Sequence, residues 1–274
     1  MRKERKELVQ QTEKKKKEKL TRSRLYTSIL LVFLALVAVT AATVAWFSIA
    51  DNTKVRTMSL DIMTDVELKM DLDAHSSIDQ YVKSLSFEQI ARRIQSEKGF
   101  AMEDTPLEPV TTSDQNTFTY ENGTIVESTK GSYLEFTLHF MAAKDMEVHL
   151  TSANSSSGEQ DGTAVMSQNQ ALPESMRISF TADGQTWVYD PGAGDSGGVT
   201  GGAKYFGLPE ASAMKLSDIN AMFSLKEGED KEVKVHIWLE GTDPACTDEI
   251  KSSDYSIRLR FTGTDVDGRP FSEK

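Results

Sequence analysis

Val233-Lys234-Val235-His236-Ile237-Trp238-Leu239-Glu240 alternates apolar and polar residues without a break. Successive side chains of a strand point to opposite faces, so this period of two reads as a strand with one apolar face. The pattern returns in Tyr255-Ser256-Ile257-Arg258-Leu259-Arg260-Phe261, in Leu134-Glu135-Phe136-Thr137-Leu138-His139-Phe140 and in Met146-Glu147-Val148-His149-Leu150. The last two, joined across Ala142-Ala143-Lys144-Asp145, read as a hairpin with matching faces. Met176–Phe180 and Gln185–Tyr189 flank Asp183-Gly184, a dipeptide suited to a two-residue hairpin turn. Near the start, Met58, Leu60 and Ile62 alternate, then Val66, Leu68, Met70 and Leu72, as two strands or one broken at Thr64-Asp65.

Between the strands the period changes. Phe87, Ile90, Ala91 and Ile94 fall on one helical face, with Ser86 as N-cap and Gly99 as stop. Leu216, Ile219, Met222 and Phe223 suggest a short helix after Ser217. Residues 152–162 are rich in Ser, Gly and Asn and 191–203 in Gly, so both read as loops. Alternation in roughly eight strands, in place of continuous apolar runs, argues for antiparallel sheets facing one another across a shared core. The expected fold is mainly β: an antiparallel β-sandwich of jelly-roll type with short helical insertions, preceded by one transmembrane α-helix.

That helix is read from Leu25–Ala50, 26 residues without a charge. At about 1.5 Å per residue the run is long enough to cross a bilayer core with some tilt. Residues 1–24 hold eleven Lys/Arg against four Glu, a net +7, while the rest of the chain is −18. Cations remain on the cytoplasmic side, so this asymmetry places the tail inside and residues 51–264 outside, with 265–274 as a polar tail. Trp46 and Phe47 suit the outer interface. A signal peptide competes with a retained anchor, because Thr43-Val44-Ala45 and Ser48-Ile49-Ala50 both offer small residues for cleavage after Ala45 or Ala50. The Lys-rich leader reads as a topology and lipid-headgroup signal, not as a nucleic-acid site.

Cys246 is the one cysteine, so the outer domain has no internal disulfide; the thiol is either buried and inert or free to pair between chains. No HExxH, GxSxG, P-loop or GxGxxG followed by a helix is present. By parity His139 and His149 share one hairpin face, where Glu147 and Glu135 join them as a candidate zinc site. A solvated sheet face explains the same residues. Asp243, Asp248 and Glu249, with Glu240, offer hard oxygen ligands for calcium, although the spacing is not that of an EF-hand and a capped turn explains them equally. No other cofactor is indicated.

Two stretches resemble the TasA/camelysin group of bacterial surface proteins. One is Thr43-Val44-Ala45-Trp46-Phe47-Ser48-Ile49-Ala50-Asp51-Asn52 running on to Met58-Ser59-Leu60-Asp61-Ile62. The other is Val233 to Phe261, in particular Ile237-Trp238-Leu239-Glu240-Gly241-Thr242-Asp243-Pro244-Ala245-Cys246, similar to the closing strand pair of such domains. The resemblance implies a jelly-roll sandwich at the surface or in the extracellular matrix of a Gram-positive bacterium. It also implies fibres in which an N-terminal strand freed by cleavage completes a neighbour's sheet. Val55, Met58, Leu60 and Ile62 would lie in that strand. The 24-residue leader departs from the short signal peptide of that group, and the peptidase activity described for camelysin-like members has no zinc motif behind it here. The expected partners are membrane lipid along residues 25–50 and further copies of the chain or other surface proteins. A non-enzymatic structural protein is the leading expectation, with a surface metallopeptidase and an extracytoplasmic ligand-binding or sensing module as alternatives.

Overall fold

The alternation of residues 233–240 does form a strand, and that strand lies at the middle of one of two sheets. The structure is a computed structural model that describes residues 28, 30–34, 54–63, 68–151, 162–192, 203–208, 221–250, 253–267 and 269. Of the expected membrane-spanning segment only residues 28 and 30–34 are among these, and they are helical. No helix among the described residues is long and apolar enough to cross a membrane. Ala45 and Ala50 lie outside the described residues, as do 152–161, 193–202 and 209–220.

The first sheet carries β11 (Ala221–Leu225), β6 (Met146–Leu150), β13 (Tyr255–Thr264), β1 (Val55–Ile62) and β3 (Ser84–Leu85) in that order, with β7 (Ala164–Ser167) on the first half of β13. The second carries β10 (Lys204–Phe206), β9 (Gln185–Tyr189), β8 (Met176–Ala182), β12 (Lys231–Glu240), β5 (Leu134–Ala142) and β2 (Leu68–Asp71), with β4 (Pro109–Val110) on the end of β12. Both sheets are mixed: β1 runs parallel to β13, β10 to β9 and β4 to β12. The purely antiparallel expectation is corrected at these three places, and the described residues hold thirteen strands where about eight were expected.

The sheets face each other in a sandwich-like arrangement. Val233, Val235, Ile237 and Leu239 on β12 and Ile257, Leu259 and Phe261 on β13 are at most 1% exposed. The Phe261 ring meets Phe140 and Phe180 of the other sheet, with centroids 5.2 and 5.8 Å apart. Each such side chain contributes about 1.5–3 kcal/mol by leaving water. A second, smaller cluster forms on the outer face of the second sheet, where Phe118 stacks on Tyr133 at 4.0 Å and meets Trp238 edge-on at 5.4 Å. It buries the outward residues of β12, so His236 and Trp238 are as hidden as their inward neighbours.

Several local readings hold. Helix α1 (Phe87–Lys98) starts at Ser86 with a reciprocal capping box to Gln89 and stops at Gly99, whose φ of 85° a side chain would strain. It buries Ile90 and Ile94. β8 and β9 form the expected hairpin, with Asp183 and Gly184 both at positive φ (51° and 74°), as a primed turn requires. A short helix that the sequence pattern did not indicate, α2 (Ala171–Ser175), precedes β8.

Three readings are corrected. β5 and β6 are not paired: β5 lies between β12 and β2, whereas β6 lies between β13 and β11 in the opposite sheet. The closing strands β12 and β13 likewise belong to different sheets. Both inner faces point at one core, so the same apolar alternation serves a crossing between sheets as well as a hairpin. Met222 and Phe223 sit in β11 and not in a helix, while residues 216–220 lie outside the described residues. Of the two alternatives for residues 58–72, two strands is the one found, since β1 and β2 lie in separate sheets.

Candidate functional site

The first strand has an apolar inward face and one incompletely paired side. Val55, Met58, Leu60 and Ile62 point inward and are between 0% and 9% exposed. One side of β1 pairs with β13 in register from Val55↔Tyr255 to Ile62↔Phe261, with a bulge between Val55 and Thr57. The pairing continues at both ends, since Tyr255 N–H donates to Lys54 O at 3.1 Å and Met63 N–H to Phe261 O at 2.8 Å. On the other side only Leu60 and Asp61 have strand partners, Leu85 and Ser84 of β3. Among the described residues Val55–Ser59 has no strand there, so half of β1 is a sheet edge.

Polar contacts on the outer face fix this strand. Arg260 pairs with Asp61 and donates to Ser59 Oγ at 3.2 Å, while Ser84 Oγ donates to Asp61 at 2.5 Å. At the start of the strand Arg56 meets Asp254 at 2.6 Å. That pair borders an open groove of about 550 Å³ lined by Met166, Ser167, Asn169 and Tyr255. Both partners are well exposed, so the pair itself contributes little.

The candidate zinc ligands are not brought together. His139 and His149 do point outward, but from opposite sheets, and so lie on opposite exteriors of the sandwich. His139 Nδ1 lies 2.9 Å from Asp230 Oδ2. His149 is 3% exposed, with Nε2 3.0 Å from Thr264 Oγ1. Glu147 follows His149 into the first sheet, opposite Thr264. Glu135 belongs to the second, where it takes a hydrogen bond from His236 Nε2 at 3.1 Å and pairs with Lys98 of α1. The His236 hydrogen bond, helped by Lys98 and opposed by burial, holds the Glu135 carboxyl down at about 2.

The candidate calcium ligands diverge as well. Asp243 turns inward to pair with Arg177 of β8 and caps its own turn by accepting Ala245 N–H at 2.8 Å. Asp248 and Glu249 sit in a 3-10 turn, Asp248–Ile250. Glu240 accepts from Trp238 Nε1 at 2.9 Å and from Thr242 Oγ1 at 2.6 Å. Among the described residues no three His, Cys, Asp or Glu groups are placed to hold a metal ion. What the loop builds is a buried charge network. Arg177 also lies 3.1 Å from Asp190, whose side chain is fully buried, and donates to the Glu174 and Met176 carbonyls. Cys246 is buried beside it, and burial with the nearby Asp243 and Glu240 pushes its thiol up to about 12.

Sequence reasoning missed one polar cluster altogether. Tyr81, 3% exposed, donates to Asp230 Oδ1 at 2.6 Å and accepts the His75 N–H at 2.9 Å. Burial, reinforced by the Asp230 hydrogen bond, pushes its hydroxyl up to about 12. His75 packs edge-on against the Tyr81 ring, and its Nε2 lies 3.7 Å from Asp71. Residues 71–81 and 230 are remote in sequence and share no motif, so only the fold assembles them. No family model, curated protein or solved structure matches this chain.

Proposed function

We propose that this chain is a non-enzymatic cell-surface or matrix protein of TasA/camelysin-like, jelly-roll-type build, held at or released from the membrane through residues 25–50, and that it assembles by strand addition. The single observation behind the reading is β1: an apolar strand, half of it a sheet edge, beginning five residues beyond the candidate cleavage point Ala50. Main-chain hydrogen bonds supply affinity in such an arrangement, and alternate side chains filling inward positions supply register. A neighbour's β1 would take the place beside β13 that the chain's own β1 now holds, burying the same four side chains. Exchange of identical elements costs little at equilibrium because nearly every contact is remade. Withdrawal of Val55, Met58, Leu60 and Ile62 from the core sets the barrier.

Mass spectrometry of the chain purified from its producing cell, together with size measurement of the product, tests this reading. An N-terminus following Ala45 or Ala50 in a polymeric fraction is the expected result. A chain that begins at Met1 and stays monomeric refutes assembly by strand addition. Disulfide trapping of Ser59→Cys with Arg258→Cys then separates intramolecular from intermolecular pairing, since these residues are opposite in the β1–β13 register.

A further inference from the structure

The groove at the start of β1 is floored by three strands. Ser256 of β13 stands opposite Thr57 of β1 on one side and Met166 of β7 on the other, next to the bulge that contains Arg56. Its walls are tied to one another. Ser167 Oγ donates to Asp254 O at 2.8 Å and accepts the Asn169 N–H at 3.2 Å. The Asn169 side chain donates to Glu249 O and accepts the Ala171 N–H at 3.1 Å. On the β1 side the Arg56 guanidinium meets the Asp254 carboxylate at 2.6 Å. The groove is therefore preformed, and about 550 Å³ lies within the usual size of a small-molecule site. Two of its polar side chains, the Gln168 amide and the Ser256 hydroxyl, have no hydrogen-bond partner among the described residues.

The lining selects against three classes of ligand. Arg56 and Asp254 are the charged groups among the described residues that line it, and they cancel, so neither an anion nor a cation is drawn in. The backbone of Tyr255 and Ser256 is already paired on both sides, by β1 and by β7, so an extended peptide gains no ladder from the floor. Met166, 42% exposed, supplies a single apolar patch, because Tyr255 is buried, so a wholly apolar ligand finds little surface to cover. What the groove does offer is amide, hydroxyl, guanidinium and carboxylate groups, donors beside acceptors, around one thioether. We propose that it binds a neutral saccharide chain. Gln168 and Ser256 take sugar hydroxyls, each able to donate and to accept. The Arg56–Asp254 pair presents a donor next to an acceptor, which suits two hydroxyls on neighbouring carbons. Met166 packs against a C–H face of the ring, for which its flexible side chain is suited. A bound chain crosses the seam between β1 and β13, but the site stands apart from the strand-addition reading.

The full chain, labelled at its methionine methyl groups and held in micelles of a detergent without a sugar headgroup, provides the test by titration with cellotetraose, mannotetraose and chitotetraose. At least one of the three should shift the Met166 methyl resonance, assigned through Met166→Leu, in a saturable manner. The buried Met58 and Met102 should stay where they are. The double variant Gln168→Ala, Ser256→Ala should weaken that binding about tenfold, as expected for two lost hydrogen bonds. Sodium phosphate and tetra-alanine should leave the Met166 resonance unmoved. Binding of none of the three sugars overturns the proposal, as does binding that the double variant does not weaken. An equal shift with phosphate or with the peptide overturns the saccharide assignment. If the Met58 resonance shows that the double variant has not folded, Gln168→Ala alone, at an exposed position, decides: affinity should fall about threefold, and unchanged affinity overturns the proposal.

Discussion

Phe261 on β13 meets Phe140 on β5 edge-on across the sandwich, ring centroids 5.2 Å apart and planes at 72°. Neither ring is exposed, so this contact joins the two sheets at the centre of the core. Phe261→Ala should destabilise the domain by about 3–5 kcal/mol, through lost transfer energy and the cavity left behind. Urea unfolding followed by tryptophan fluorescence measures the loss. A change under about 1 kcal/mol would mean that the two inner faces do not meet there.

The Lys98–Glu135–His236 chain makes a signed prediction for pH. The Glu135 carboxyl titrates at about 2 when folded, against 4.5 for an unperturbed glutamate. Its stabilisation is therefore complete above pH 4.5, fades as pH falls, and is gone by about pH 2. The amount is of the order of 3 kcal/mol, since each unit of difference is worth about 1.4 kcal/mol. Glu135→Gln should flatten that part of the acid-unfolding curve and lower stability at neutral pH. Chemical denaturation at stepped pH gives both numbers.

Arg177, at the start of β8, lies between the carboxylates of Asp190 and Asp243, and its side chain is 7% exposed. Arg177→Met should cost about 3–5 kcal/mol, because it removes the buried guanidinium that Asp190 and Asp243 share. The double change Arg177→Met, Asp190→Leu should recover part of the loss. Denaturation midpoints of wild type, single and double variants test both statements.

Ser86→Ala removes one half of the α1 capping box and should cost about 1 kcal/mol. The effect should be local: faster hydrogen exchange in the first turn of α1, with β12 amides following only the global change.

Cys246 should resist iodoacetamide in the folded chain and react only on unfolding. Its thiol is buried and is pushed up to about 12, so little reactive thiolate forms at neutral pH. Mass spectrometry with and without denaturant reports the difference, and prompt labelling of the native chain would exclude the burial described for it.

Alternation in Val233–Leu239 and Tyr255–Phe261 identified strands and their inward faces correctly, because period two is a property of one strand alone. Partner choice is not. The Ala142–Asp145 turn looked like a hairpin, yet Asp145 is tied to Lys226 and to the Glu227 N–H, 81 and 82 residues away, as the chain crosses between sheets. The α1 caps and the Asp183-Gly184 turn were legible because their chemistry is local. His139 and His149 were placed outward correctly but on a shared face wrongly, as an error of sheet and not of parity. The cover formed by Phe118 and Tyr133, which buries His236 and Trp238, comes from residues 109–133, where neither period is sustained. Met58, Leu60 and Ile62 read as one inward face, and they are one; Val55, out of phase with them by parity, joins that face through the bulge between Val55 and Thr57. That half of the strand borders a sheet edge depends on how short β3 is, which no pattern announced.

Val55 pairs with Tyr255, so β1 leaves the ribosome 200 residues ahead of the strand it pairs with. Loop closure over such a span is slow, and until it happens the β13 side of an apolar strand stands unoccupied. A nascent or truncated chain that stops short of residue 255 therefore presents β1 to whatever lies nearby, another nascent copy included. Synthesis and quality control, and not only the finished domain, must keep that strand occupied.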